Sequence, residues 1–378
     1  MTAAHGIEIR PVRGLMGRRV FVDVPFRIHG GDPGWIPPLR LSVYDRLSPR
    51  HPAMAHQETA LWVAYRYGRP VGRIAACVDH AFDEYQGVRW GWIGFYDTFD
   101  DPELSDAMFD TACAWAAAHG AETCVGPANF TTNDELGLLV EGFDRPPTLL
   151  TLQNPPYQVD LWERAGWEQA MDLWAYEFVA RDAALSDRQR RTLERIRSRA
   201  GITARSMDMK DFDNEVGRFF DVYNAAWSRN WGFAPMPEPE IRHLAKQLKP
   251  ILRPEWAFAL ETAAGEPVGV CLGLPDMNLP MRKVRSGRLL PTGWIPILAA
   301  RRSMPRVRVW ALGVKPGYQQ LALGALLLGE CMTRIAPDVI DAEASWTLAT
   351  NYRINDQLEA IGGRRSKVWR LYQRPAAR

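Results

Sequence analysis

The chain repeats its own plan at one long spacing. Arg69-Pro70-Val71-Gly72-Arg73 and Glu266-Pro267-Val268-Gly269-Val270 share Pro-Val-Gly about 197 residues apart, and the same offset joins Asn154 to Asn351 and Gly166 to Gly363. Trp35-Ile36-Pro37-Pro38 aligns with Gly232-Phe233-Ala234-Pro235 in the same way. A solenoid repeats every few tens of residues, so a period this long denotes two copies of a whole domain. Differences between the copies then mark where chemistry has been kept.

Composition narrows the field. The 378 residues are 47% hydrophobic and 24% charged, the make-up of a globular protein, and no apolar run reaches the roughly eighteen residues that span a bilayer. A net charge of +2 excludes a strong footprint for polyanions, so no nucleic-acid partner is expected. Cys77, Cys113, Cys124, Cys271 and Cys331 are odd in number and form no CxxC pair. With no signal-peptide pattern at the start, free thiols in a reducing cytoplasm are expected. Fifteen tryptophans are expected mostly in the core, with some lining an apolar site.

Both copies read with one grammar. In the first, Ile7 to Val12 reads as a strand, and two apolar runs around Gly68-Arg69 read as a hairpin. Arg89 to Phe95 and Thr123 to Gly126 are further strands, and Glu103 to His119 is a helix closed by Gly120. Residues 127–147 read as a long loop, followed by a motif from Asn154 to Trp167 and a strand from Leu173. Six arginines between Arg188 and Arg199 mark a basic connecting helix, either simply solvated or facing an anionic surface. The expected division is 1–182, a linker at 183–200, and 201–378. The class is α/β, as two tandem mixed sheets, mostly antiparallel, with helices on both faces.

The second copy carries the sharper chemistry. A strand from Arg306 to Val314 runs into Lys315-Pro316-Gly317-Tyr318-Gln319-Gln320-Leu321-Ala322-Leu323-Gly324-Ala325 and then an apolar helix. A Gly/Pro turn opening a helix presents free backbone N–H groups with a partial positive charge, so a diphosphate fits without lysines. No P-loop pattern is present, and no acidic residue follows as a dinucleotide fold would require.

At this point the chain resembles the GNAT superfamily of N-acetyltransferases, whose hallmark is a strand leading into Gln/Arg-x-x-Gly-x-Gly/Ala. The match is Gln319-Gln320-Leu321-Ala322-Leu323-Gly324, with Ala322 where the first glycine is usual. An alanine there can still offer its N–H if its φ is helical. A second family element, Asn followed by a helix and then Gly-aromatic, is matched by Asn351 to Gly362-Gly363 and by Asn154 to Gly166-Trp167. The resemblance implies that the loop through Ala325 holds the pyrophosphate of coenzyme A. It also implies that a splayed Leu312-Gly313-Val314 pairs with the pantetheine arm, and that Asn351 holds that arm unless it merely caps its helix. The co-substrate implied is acyl-CoA, with no metal. At the corresponding point the first copy has Gly94-Phe95-Tyr96-Asp97-Thr98-Phe99-Asp100-Asp101-Pro102, whose carboxylates would repel a pyrophosphate. Its cofactor site is therefore expected to be degenerate.

Acyl transfer to an amine needs a base, a stabilised thioester oxygen and a leaving thiolate. Only His243 falls in the second half, so Glu343 is the leading base candidate and Asp276 the second. Ordinary readings are an ion pair on a strand edge for Glu343 and a turn-forming role for Asp276. The family's usual acidic tyrosine has no clear counterpart, and Tyr318 and Tyr352 are the nearby substitutes. Trp227, Asn230 and Phe233 fall where the family places its acceptor-binding loop. An insertion between Pro275 and Arg308 carries Asn278, Arg288 and Trp294, and its apolar stretch reads as a core helix, an acyl-chain tunnel or a membrane-interface segment. The arrangement is similar to a bacterial family of tandem GNAT proteins that includes the bacterial ceramide synthases, which implies N-acylation of a sphingoid-type amine. Two alternatives stand beside this: acetyl transfer to a small polar amine, and a non-catalytic acyl-CoA-binding module. The expected location is cytoplasmic, with peripheral contact at the inner membrane as a variant.

Overall fold

The computed structural model describes residues 6–180, 185–300 and 304–377. The boundary expected at 182/183 and Arg301-Arg302 of the insertion lie outside them. In chain order the elements are β1 (Ile7–Pro11), α1 (Gly14–Ile28), α2 (Arg40–Arg46), β2 (Gln57–Arg66), β3 (Arg69–Asp79), α3 (His80–Gln86) and β4 (Trp90–Thr98). Next come α4 (Pro102–Ala118), β5 (Thr123–Gly126), β6 (Leu138–Glu141), α5 (Tyr157–Arg164), β7 (Glu168–Val179), α6 (Asp187–Ala200) and β8 (Thr203–Ser206). Then follow α7 (Phe212–Trp227), α8 (Glu238–Leu248), β9 (Ala257–Glu261), β10 (Pro267–Pro275), α9 (Asn278–Met281) and α10 (Trp294–Ala300). The last are β11 (Arg306–Val314), α11 (Leu323–Arg334), β12 (Asp341–Leu348), α12 (Tyr352–Ala360) and β13 (Arg364–Pro375).

The chain forms two compact units that exchange segments between its linear halves. One comprises Met1–Leu173, Asn278–Leu298 and Lys367–Arg378, and the other Trp174–Met277 and Ala299–Ser366. The insertion in the second copy therefore packs with the first unit. The basic helix α6 packs within the second, where Leu193 fills the space over Gly329 of α11 and Arg197 pairs with Glu330. It is a packed helix of that unit.

In the first unit β1, β2, β3 and β4 pair antiparallel, β4 and β5 pair parallel, and β13 closes antiparallel on β5 and β6. The parallel step requires a crossover, which α4 supplies. Strand β6 interrupts the loop expected over 127–147, and helix α1 adds an element for which the sequence offers no clear local signal. In the second unit β8, β9, β10 and β11 pair antiparallel, and β12 lies parallel to β11 after the crossover through α11. Each unit thus contributes both parallel and antiparallel strands, the mixed pairing that was expected.

The repeat has a local cause. In the β2–β3 hairpin Tyr65 faces Pro70 and Ala64 faces Gly72, leaving Val71 as the extra residue of a bulge. In the β9–β10 hairpin Glu261 faces Pro267 and Leu260 faces Gly269, leaving Val268 in the same role. Pro-Val-Gly is thus a bulge signature, since the proline has no N–H to lose and glycine accepts the local bend. The second pair of glycines is less regular. Gly166 takes a left-handed conformation after α5, but after α12 it is Gly362, not Gly363, that does so.

The first core gathers Ile74, Ile93, Met108, Phe109, Trp162 and Trp167 between sheet and helix α4. A cluster of Tyr176, Val309, Leu312, Leu328, Ala344 and Leu358 binds α11 and α12 to strands of the second unit. All five cysteines are free and buried, as expected.

Candidate active site

Strands β11 and β12 part company. Their parallel ladder runs from Arg306 opposite Asp341 to Val309 opposite Ala344, and no further register joins them among the described residues. The divergence coincides with a bulge, because β10 pairs Gly273 with Val309 and Leu272 with Ala311, leaving Trp310 over. Beyond it Leu312, Gly313 and Val314 pair with Cys271, Val270 and Gly269 on one side only. Their edge toward β12 has no strand partner among the described residues.

The strand ends at a loop built for an anion. After Val314 the Tyr318 N–H donates to the Lys315 carbonyl at 3.2 Å, and Gly317 takes φ +91. One 3₁₀ turn, Gln319–Leu321, follows, and then Ala322 with φ 56 and ψ 26 starts α11 with no side-chain cap. The condition of a helical φ at Ala322 is not met: the residue adopts the left-handed conformation a glycine would take freely. For alanine this costs roughly 1–2 kcal/mol, and it orients the succeeding N–H groups of Leu323 and Gly324 as a nest at the positive end of the helix. A β-carbon on Gly324 would meet only Gln357 Oε1, at 3.4 Å, so the approach to this helix start is open. Lys315 is tied to Asp221 at 2.7 Å and to Glu266, while the exposed guanidinium of Arg353 reaches the loop and donates to the Gln319 carbonyl at 3.0 Å. Gln319, Gln320, Leu321 and Ala325 are exposed around it.

Asn351 precedes α12 and makes no capping bond, which removes the ordinary reading of that side chain. The buried amide of Asn355 instead ties α12 to the end of β12, donating to the Leu348 carbonyl at 3.0 Å and accepting from Thr347 at 2.6 Å. Sequence reasoning missed Asn355, although an amide on the buried face of a short helix is a usable signal.

Glu343 is fully buried, directly opposite Arg308 in the parallel register. The Ser345 hydroxyl donates to its Oε1 at 2.6 Å and accepts from Arg308 Nε at 3.0 Å. The strand-edge ion pair is corrected to an interior cluster of carboxylate, hydroxyl and guanidinium just where the strands diverge. Arg308 and Ser345 were missed. The alternation of arginine with valine in Arg306-Val307-Arg308-Val309 could have signalled a buried cation. Asp276 is also fully buried, but its N–H donates to the Arg306 carbonyl and its carboxylate lies 3.9 Å from the Arg306 guanidinium. It therefore sits at the start of β11, about three residues or roughly 10 Å before the divergence.

Neither tyrosine reaches this cluster. The Tyr318 hydroxyl donates to Glu266, whose charge raises its pKa, and Tyr352 is 69% exposed. Trp227 ends α7, stacks on Tyr223 with ring centres 4.5 Å apart, and lies against Gly313. Tyr223 stacks in turn on Trp310 and approaches Phe233; burial pushes its hydroxyl up to about 12. This aromatic wall lies on the face of β11 at Gly313, and Asn230 shapes the turn that follows α7. The six candidates for acceptor binding do not stay in one unit. Trp227, Asn230 and Phe233 belong to the second, and Asn278, Arg288 and Trp294 to the first.

The first unit has the same strand pair but seals it. There β4 and β5 pair only from Trp90 to Trp92, after which the Ala128 N–H donates to the Ile93 carbonyl at 2.8 Å and the Phe95 N–H to Asn129 Oδ1 at 2.9 Å. Helix α4 is capped by Asp101, whose carboxylate accepts from the Leu104 N–H at 3.2 Å and so already occupies the anion position. Asn154, the counterpart of Asn351, is spent on both backbone groups of Leu139. Asp97 is held ionised: burial raises its carboxyl, but Arg73 and His29 together bring it well below the usual range.

No protein-family model matches the chain. It is similar to the bacterial ceramide synthase of Caulobacter vibrioides, with 34% identity across 97% of this chain and 97% of that protein. It is also similar to protein YghO of Escherichia coli K12, at 33% identity over 94% of this chain and 92% of the other. Among solved structures, a tandem GNAT protein from the clavulanic acid biosynthesis pathway has TM-score 0.55 and 13% identity over 98% of this chain and 99% of its own. A GCN5-related N-acetyltransferase from Sphaerobacter thermophilus has TM-score 0.54 and 13% identity over 99% and 97%. These structural likenesses concern the fold, which is the one expected.

Proposed function

The chain belongs to the family of the bacterial ceramide synthase, with the tandem GNAT fold, and from that premise we propose that it transfers an acyl group from acyl-CoA to a long-chain, sphingoid-type primary amine. The observation that carries this reading is the contrast between two helix starts. The one at α4 is closed by the Asp101 carboxylate, whereas the one at α11 is uncapped beside a free strand edge. An anionic co-substrate with an extended amide-bearing arm suits the second pair and is repelled by the first.

In this reading the backbone of Gln319 to Ala325 receives the pyrophosphate, and Leu312 to Val314 with Asn351 hold the arm. The thioester carbonyl then lies near the divergence of β11 and β12. The amine attacks the carbonyl carbon; a C–N bond forms, the C–S bond breaks, and coenzyme A leaves as its thiolate. The proton lost by the amine passes by way of the Ser345 hydroxyl to Glu343, whose charge Arg308 balances. Asp276, Tyr318 and Tyr352 have no part in this step. Trp227, Asn230 and Phe233 line the acceptor's approach, and no residue is assigned to a metal. The first unit keeps the fold without the cofactor site.

Among the described residues no helix is long and apolar enough to cross a membrane. A protein peripheral to the inner membrane suits an acceptor that resides there.

Thermal stability tests the reading across concentration series of coenzyme A, acetyl-CoA and palmitoyl-CoA. Binding to the native state alone adds about 2.7 kcal/mol of linkage at a hundredfold excess over Kd. The expected result is a shift with each, largest for palmitoyl-CoA below its micelle concentration, with an amide product detected by mass spectrometry when a sphingoid amine is added. No shift with any thioester would remove coenzyme A from the account.

A further inference from the structure

The insertion that the chain lends to its first unit has a buried base and an apolar tip left in solvent. Its base is fixed by packing and hydrogen bonds. Met281, Val284 and Ile297 pack with Ile36 and Leu39, and Arg285 donates to the carbonyls of Trp35 and Asp32. Gly287, at φ +64, lies so close to Pro38 that a β-carbon would come within 2.5 Å of its carbonyl oxygen. The tip is different. Leu290 is 76% exposed, Ile295 and Leu298 each 50%, and Trp294 45%, with its indole N–H satisfied by the Pro291 carbonyl. An anchored segment whose apolar residues point to water is costly unless another apolar phase covers them.

Charge selects the cover. From Asn278 to Leu298 the segment holds Arg282, Lys283, Arg285 and Arg288 and no acidic residue. Arg282, Lys283 and Arg288 are exposed and stand in no ion pair among the described residues. Leucine, isoleucine and tryptophan with unpaired cations alongside is the pairing that suits the headgroup boundary of an anionic bilayer, where the ring and alkyl groups enter and the cations meet phosphate. A second copy of this chain would have to bring matching acids to the same place.

We propose that Leu290–Leu298 docks the protein on an anionic membrane surface, the place from which a lipid amine reaches the enzyme. The use made of the docking rests on the function argued above; the docking itself does not.

Co-sedimentation of the full chain with vesicles, without acyl-CoA or amine, tests it. Wild type should partition onto phosphatidylcholine vesicles carrying about 30 mol% phosphatidylglycerol, and much less onto phosphatidylcholine alone. Leu290→Glu/Leu298→Glu should lower partitioning roughly tenfold or more, with melting temperature and coenzyme A binding unchanged. Arg282→Glu/Lys283→Glu should weaken binding to the anionic vesicles only, as should about 0.5 M salt for wild type. Unaltered partitioning by the leucine variant, or no binding by wild type, overturns the proposal. So does a leucine variant that turns a sedimenting dimer into a monomer, which would make the cover a second copy. Absence of amide product from a sphingoid amine and palmitoyl-CoA would count against the function while leaving the vesicle result intact.

Discussion

The indole of Trp227 lies so close to Gly313 that a β-carbon on the glycine would come within 2.4 Å of the ring. Gly313 belongs to β11, and the absence of a side chain there sets how closely the indole packs on the face of that strand. Gly313→Ala should displace the indole and cost about 1–3 kcal/mol as overpacking, with weakened acyl-CoA binding. Trp227→Ala should leave coenzyme A affinity largely intact and raise KM for the amine. Urea titration and steady-state kinetics separate the two, and equal effects on both substrates from Trp227→Ala would remove the wall from the acceptor path.

Gly324→Phe should fold normally and lose coenzyme A binding, because only the end of the Gln357 side chain lies near its β-carbon. Gly94 is no fair control in the first copy. A β-carbon there would sit 1.7 Å from the Ala128 carbonyl oxygen, and Gly94→Phe would unfold the unit. Asp101→Ala is the better comparison, expected to cost about 1 kcal/mol of stability as a lost helix cap with no change in coenzyme A affinity. Calorimetric titration decides; retained affinity in Gly324→Phe would put the pyrophosphate elsewhere.

Glu343→Gln preserves shape and hydrogen bonding while removing the charge and the proton acceptor. Turnover should fall about 10²-fold or more with coenzyme A affinity unchanged. Glu343→Leu leaves Arg308 without the carboxylate opposite it in the interior, and should cost about 3–5 kcal/mol. If Glu343→Gln turns over like wild type, the cluster is structural and the base lies elsewhere.

Asp83 offers a test by pH. Burial raises its carboxyl to about 6 despite the hydrogen bond from the Trp90 N–H. Unfolded, the group titrates near about 4, so between these values the folded state binds the extra proton. Stability from this group is therefore greatest at about pH 4 and falls as pH rises through the window. Asp83→Asn can still accept from Trp90 and should be more stable than wild type at pH 7.5, by up to about 1 kcal/mol after discounting solvent screening, and equal near pH 4. Denaturant melts at the two pH values measure it, and an equal difference at both would assign the effect to packing.

Much of the architecture was legible because its signals are local. Pro-Val-Gly marks a bulged hairpin at both places where the chain carries it, through the missing N–H of proline and the freedom of glycine. Strand β11 and the helix after it were readable from an apolar run that ends at Lys315-Pro316-Gly317. The cap on the helix after β4 was legible in the same way, since Asp101 precedes Pro102 and a carboxylate there accepts from the first free N–H groups.

Other features depend on which residues meet across the fold, and no local pattern states that. Ala322 stands in a glycine's conformation because the strand before it and the helix after it fix the loop between them. Glu343 is an interior charge because Arg308 happens to face it in the parallel register, and a shift of one residue would have put it on the other face of the sheet. The insertion from Asn278 packs with the first unit because Gly287 admits Pro38 and Arg285 finds backbone carbonyls there. By itself the sequence determined the repeated plan, its two bulged hairpins and the run of strand, turn and helix from Arg306, all set by turns, periodicity and charge along the chain. The tertiary structure alone decided which strand edge stays free, which charges face one another and which unit holds the apolar tip, because contacts distant in sequence are selected by packing.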